Sequence, residues 1–186
     1  MTRRKPRPAP TFYNSLHILF ASDSKPMSAQ KITYQLTRMA AALNAMRYEP
    51  TPHTHHWRVL SDAINLLETL VTEGEAPVRD AQGRIIASHW RDCDGDAVEV
   101  RDSSGLLLDA ITAMAQAGER AQDGKPLRLS GPGLHAVAQV LEDYETALRC
   151  LPERTMVRCH KKTEERVRKV FARQGGIPAG VRVIAL

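Results

Sequence analysis

The sequence predicts a mainly α fold, a helical bundle of about five helices forming two αα-hairpins, with a small β-hairpin or sheet element around residues 77–101. Three observations carry that expectation. Apolar residues recur at alternating spacings of three and four over long stretches, which lines one face of a helix. Aromatic residues make up only 5% of the 186 residues while apolar residues make up 42%, so the core is built from Leu, Val, Ile, Ala and Met. Between residues 76 and 101 the period changes to two, the period of a strand. A chain of this size buries roughly 70% of its unfolded surface and needs no metal or disulfide to be stable.

Residues 1–10 (MTRRKPRPAP) read as a disordered basic arm. Three prolines and four like charges in ten residues oppose both helix formation and collapse. Residues 11–186 read as a single mainly helical domain, in which residues 11–21 are apolar enough to dock on the body. Ser28 is a good N-cap. After it Ile32, Leu36, Met39, Leu43 and Met46 form one helical face, which Pro50 and Pro52 stop. Thr54 is placed to cap a second helix with the face Trp57, Leu60, Ile64, Leu67 and Val71, and Gly74 is placed to end it. Two such helices joined by a short Pro-containing turn are expected to pack antiparallel.

The segment that follows carries a turn signal, Asp80-Ala81-Gln82-Gly83, then the β-prone pair Ile85-Ile86. Further on, Val98 and Val100 alternate with Glu99 and Arg101. Val181 to Ile184 is a candidate further strand. Helix resumes over Ser104–Ala117, with Leu107, Leu108, Ile111, Met114 and Ala115 on its apolar side, and Gly118–Lys125 reads as a polar break. Ser130-Gly131-Pro132-Gly133 leads into a fourth helix with Leu134, Val137, Leu141, Tyr144 and Leu148 on one face. Pro152 suits the first turn of a fifth helix, expected over Glu153–Gln174 and ended by Gly175-Gly176.

Charge is distributed unevenly. The formal net charge is +5, yet residues 1–10 carry +4 and residues 151–186 carry nine Lys/Arg against three Glu, so the intervening body is acidic. Arginine outnumbers lysine 19 to 7, which fits a GC-rich bacterial genome as well as phosphate binding. The last helix combines a narrow apolar stripe (Val167, Val170, Phe171) with Arg158, Lys161, Lys162, Arg166, Arg168, Lys169 and Arg173 over much of its remaining surface. Such a surface favours phosphate, because each neutralised phosphate releases condensed counterions. With the fourth helix and the Cys150–Glu153 turn it makes a candidate helix-turn-helix pair. The arm residues Arg3, Arg4, Lys5 and Arg7 resemble in type the flexible arms that reach into a minor groove.

Other groupings point less firmly to chemistry. His53, His55 and His56 are three imidazoles within four residues and so a conceivable divalent-metal site, but no ExxH or HExxH pairing supports one, and a solvent-exposed helix start is the plainer reading. Asp92-Cys93-Asp94-Gly95-Asp96 departs from a calcium loop, since Gly95 falls one place early and the twelfth residue is Ser103. Ser88, His89 and Asp92 are the residue types of a hydrolase triad without a GxSxG elbow. Cys159 and His160 are adjacent on a helix, so their side chains diverge. The expectation is no cofactor and no metal. Cys93, Cys150 and Cys159 lack CxxC spacing and form no disulfide framework. With no signal-like segment and no apolar run of spanning length, a cytoplasmic protein without a membrane partner is expected.

Three function classes follow. The first is a nucleic-acid-associated accessory or regulatory protein of bacterial origin, of the kind found on a plasmid, phage or other mobile element, that meets DNA or RNA with the last helix and the arm. The second is a protein-interaction module or inhibitor that binds a protein partner by charged surfaces. The third is an enzyme assembling a site from His55, His56, His89, Asp92 and Asp94.

Overall fold

The computed structural model describes residue 21 and residues 25–172, with backbone alone at 170–172. The arm, residues 11–20 and the candidate strand Val181–Ile184 lie outside the described residues. Five helices and three strands run in the order α1 (Ala29–Tyr48), α2 (Thr54–Glu73), β1 (Glu75–Arg79), β2 (Ile85–Arg91), β3 (Ala97–Arg101), α3 (Leu107–Gln122), α4 (Gly131–Cys150) and α5 (Glu153–Ala172). The mainly α fold with a small β element is thus the observed one, and the two hairpins pair α1 with α2 and α3 with α4.

The caps follow from short polar side chains at the helix starts. Ser28 Oγ accepts from the Lys31 amide at 3.3 Å and Ser130 Oγ accepts from the Gly133 amide at 3.1 Å. At α2 the cap is His53 rather than the expected Thr54. The His53 Nδ1 accepts from the His55 amide at 3.1 Å, and Thr54 is already helical. Asp102 serves α3, its carboxylate accepting from the Leu107 amide at 3.2 Å. That helix does not break at Gly118. It continues through Gln122, because Ala117 and Gly118 are small, buried residues that keep the helix against the core.

The expected one-sided face of α2 is also wider in the structure. Besides Trp57, Leu60, Ile64, Leu67 and Val71, the helix buries Ala63, Leu66 and Leu70. It is the central element, in contact with α1, α3, α4, α5 and β2. Trp57 at its start donates from Nε1 to the Met114 carbonyl at 2.9 Å, fixing α2 against α3.

The strands form an antiparallel meander in the order β1-β2-β3. The β2–β3 register pairs Ser88 with Val100 and Trp90 with Val98. A single turn design serves the sheet and its exit. In Asp80–Gly83, Asp92–Gly95 and Asp102–Gly105 the glycine amide donates back to the aspartate carbonyl, at 2.9, 3.3 and 3.2 Å. Each glycine has positive φ, +76°, +90° and +70°, a conformation that costs an L side chain about 1–2 kcal/mol. The sheet packs on the C-terminal half of α2 through Ser88, whose Oγ donates to the Leu70 carbonyl at 2.6 Å. Trp90 Nε1 donates to the same carbonyl at 2.8 Å.

Helix α5 packs on α2 and not as the second half of a compact pair with α4. Its start is tied instead to the segment preceding α1. Glu153 donates its amide to the Lys25 carbonyl at 3.0 Å, and Pro26 and Pro152 form an antiparallel bridge. This arrangement differs from the helix-turn-helix expectation, because Leu151 and Pro152 are buried and turn the chain away along α2.

Candidate nucleic-acid interface

The inner face of α5 is set by Met156, Val157, Cys159 and Thr163, all buried. Because α2 is buried on nearly every side, its polar residues Asn65, Glu68 and Thr69 require partners from this face. Arg166 supplies them. One guanidinium nitrogen lies 2.9 Å from Glu68 Oε2, 3.1 Å from Thr69 Oγ1 and 3.1 Å from the Asn65 carbonyl. Thr69 and Thr163 hydroxyls meet at 2.7 Å, and Thr163 donates to the Cys159 carbonyl. Arg166 is therefore drawn into the α2–α5 contact.

The remaining cations of α5 divide by their pairing. Lys162 bonds Glu73 at 3.2 Å and Arg168 bonds Glu164 at 3.3 Å. Arg158 and Lys169 are exposed and Lys161 is half-buried, and none of the three makes an ion pair among the described residues. Arg173 and the arm residues Arg3, Arg4, Lys5 and Arg7 lie outside the described residues.

Beside α5 runs α1. Between Asp23 and Glu49 the chain has no Asp or Glu at all, while α1 carries Lys31, Arg38 and Arg47. The two helices are joined by the Lys31–Glu153 ion pair at 2.6 Å. They also share a hollow of about 370 Å³ lined by Tyr34, Gln35 and Arg38 from one side and Met156, Val157 and His160 from the other. Two tyrosines of α1 stand in solvent, Tyr34 at the rim of this hollow with 62% exposure and Tyr48 with 70%. Each has an arginine over its ring: Arg38 at 5.5 Å from the Tyr34 centroid and Arg47 at 5.8 Å from that of Tyr48. Helices α2, α3 and α4 each carry more acid than base, so α1 and α5 are the two basic helices of the fold.

No family model, curated protein or solved structure matches the chain.

The residues of the enzyme reading are not brought together. His55 and His56 stand at the start of α2, and Asp92 and Asp94 line a cleft of about 610 Å³ beside its end with Glu73, Cys93 and Arg158. The length of α2 separates the two groups by about 27 Å. Ser88 is buried and spent on the Leu70 carbonyl, while His89 lies 3.2 Å from the Ala76 carbonyl and 3.8 Å from Glu99. Asp92 Oδ1 accepts from the Asp94 and Asp96 amides at 2.9 Å each, the work of a turn residue. Of the histidine cluster, His53 caps α2 and His56 lies 3.8 Å from Glu49. Among the described residues no three His, Cys, Asp or Glu side chains converge to hold a metal ion. Burial pushes the Cys159 thiol up to about 12 and the His160 imidazole down to about 4, which makes neither a nucleophile nor a base at neutral pH.

The contribution of α1 is absent from the sequence reading. Its signal was available as the acid-free interval from residue 24 to residue 48, which a tally of charge at the two ends of the chain passes over.

Proposed function

We propose that the protein is a nucleic-acid-associated accessory or regulatory protein that meets DNA or RNA on the side formed by α1 and α5. One observation supports this reading above the others: the first halves of the two basic helices flank one hollow, tied at its end by Lys31 and Glu153. Arg47, Arg158, Lys161 and Lys169 provide guanidinium and ammonium groups that make no ion pair among the described residues, and Arg38, whose charge also acts on Asp62, adds a fifth. The arm residues Arg3, Arg4, Lys5 and Arg7 add to the same electrostatic attraction. Three free thiols suit a reducing compartment, so a cytoplasmic location belongs to the same proposal. No helix among the described residues is long and apolar enough to cross a membrane.

The test is a binding titration with labelled duplex and single-stranded oligonucleotides between about 20 and about 300 mM salt. Affinity is expected to fall steeply as salt rises. The variant Arg158→Ala/Lys161→Ala/Lys169→Ala is expected to flatten the salt dependence by up to about 2–3 in slope, and removal of residues 1–10 to flatten it further. Negligible affinity for both forms at low salt overturns the reading. In that event the segregated charge favours the protein-interaction reading, and a nuclease-resistant complex with an acidic protein partner is the outcome that supports it.

A further inference from the structure

We infer that the exposed side of α1 is a stacking platform for single-stranded nucleic acid, with Tyr34 and Tyr48 taking bases and Arg38 and Arg47 taking the flanking phosphates. The inference rests on the nucleic-acid reading and sharpens it to one class of ligand.

Exposure of two tyrosines on one polar helix is the first observation. A tyrosine on a surface normally lays its ring on neighbouring apolar groups and keeps only its hydroxyl wet. Tyr34 and Tyr48 instead leave 62% and 70% of their surface in solvent. They are fourteen residues apart, so they stand about 21 Å apart along the axis and within about 40° of each other around it. Two rings on one side of a rod bind a ligand that offers π-faces repeatedly along its length.

The second observation is what surrounds the rings. Each has a guanidinium within cation–π distance, at 5.5 and 5.8 Å. That contact takes one face of each ring, so a base would stack on the other face with a phosphate donor close by. Between the two tyrosines the exposed residues include Thr37, Ala41 and Asn44, small and uncharged, over which a backbone can lie closely. The helix has no carboxylate to repel a polyanion. An acidic peptide would be drawn by the same cations but has no use for two upright rings at this spacing.

Single strand is favoured over duplex for a geometric reason. In a duplex each base is stacked on its neighbours above and below and has no face to offer. A single strand unstacks at small cost, and base–aromatic stacking is tolerant of sequence. The protein so read takes single-stranded DNA or RNA through α1, while α5 contributes charge alone.

The experiment compares a labelled oligo-dT of about 20 nucleotides with a mixed-sequence duplex of about 20 base pairs, using the full chain at low salt. Tyr34→Ala/Tyr48→Ala is expected to weaken single-strand binding by at least about tenfold and duplex binding by no more than about twofold, since stacking is lost and charge is kept. Tyr34→Phe/Tyr48→Phe is expected to bind like the wild type. Equal single-strand affinity in the alanine variant and the wild type overturns the platform. So does an equal loss on both ligands. If in addition Arg158→Ala/Lys161→Ala/Lys169→Ala weakens binding, the general nucleic-acid reading survives without the platform. If the wild type binds neither oligonucleotide, both readings fall together.

Discussion

Arg166 on α5 holds Glu68 on α2 at 2.9 Å, with only 5% of the glutamate side chain exposed. The contact joins the last helix to the centre of the fold, and it turns a residue that looks like a ligand-binding cation into a structural one. Removing the arginine leaves a buried carboxylate without its charge partner. Arg166→Ala is therefore expected to cost about 3 kcal/mol, measured by urea unfolding. The pair Arg166→Met/Glu68→Leu should recover most of that loss, because apolar replacements of similar volume dispense with the desolvation penalty. A single variant as stable as the wild type would show that the pair contributes nothing.

A second stability prediction concerns Gly74, at the junction of α2 and β1. A methyl group there would meet Ser88 Oγ, the His89 carbonyl oxygen and Trp90 Nε1, the latter two at 2.7 Å. Gly74→Ala is expected to lower stability by about 1–3 kcal/mol, the range for overpacking. Gly131→Ala at the start of α4 finds open space and serves as the control, with no loss expected. Thermal unfolding of the two variants separates the effects.

The thiols should react in order of access. Cys150 is exposed, Cys93 half-buried and Cys159 buried. Burial together with Asp92 and Asp94 raises the Cys93 thiol above its ordinary value, and burial takes Cys159 to about 12. Titration of the native protein with an aromatic disulfide reagent is expected to modify Cys150 first and Cys93 more slowly. Cys159 should become reactive only in denaturant. Prompt labelling of all three would contradict the packing of α5.

His160 gives stability a pH dependence of definite sign. Burial holds its folded-state value down at about 4, against 6.5 for the ordinary imidazole. Between these values the unfolded chain binds the proton and the folded one does not. The contribution is complete above about 6.5 and is lost as pH falls toward 4. Asp62 works in the opposite sense over much of this window, since desolvation raises its carboxyl to about 6 against the attraction of Arg38 and Arg58. The histidine is isolated by comparing wild type with His160→Gln at about pH 7.5 and about pH 4.5. The variant should lose less stability between the two, and an equal loss would assign the effect elsewhere.

Legibility from sequence tracked how local the cause was. The faces of α1, α2 and α4 could be read because a spacing of three and four is a property of one segment, and the Ser28 and Ser130 caps because a side chain reaches only to the next turn. The cap of α2 was misplaced by one residue, since an imidazole at His53 does the work usually expected of a hydroxyl. The all-round burial of α2 was hidden because it depends on which other elements arrive. Arg166 and Lys169 look alike in a charge count. Only the position of Glu68, nearly a hundred residues earlier, separates a structural cation from an available one. The platform residues of α1 went unread for a related reason: the exposure of Tyr34 and Tyr48 depends on how α1 packs, which the segment alone does not show.

The central place of α2 bears on how the molecule opens. Nearly every other element has part of its own buried surface against this one helix, so no hairpin or sheet can separate without wetting it. Its amides from Leu60 to Val71 should exchange their hydrogens only through global unfolding, at a single shared free energy. Those of the Asp80–Gly83 and Asp92–Gly95 turns should exchange sooner, since their short-range hydrogen bonds open locally. A fragment ending at Glu73 would present the middle of α2 to water and would be expected to aggregate rather than fold.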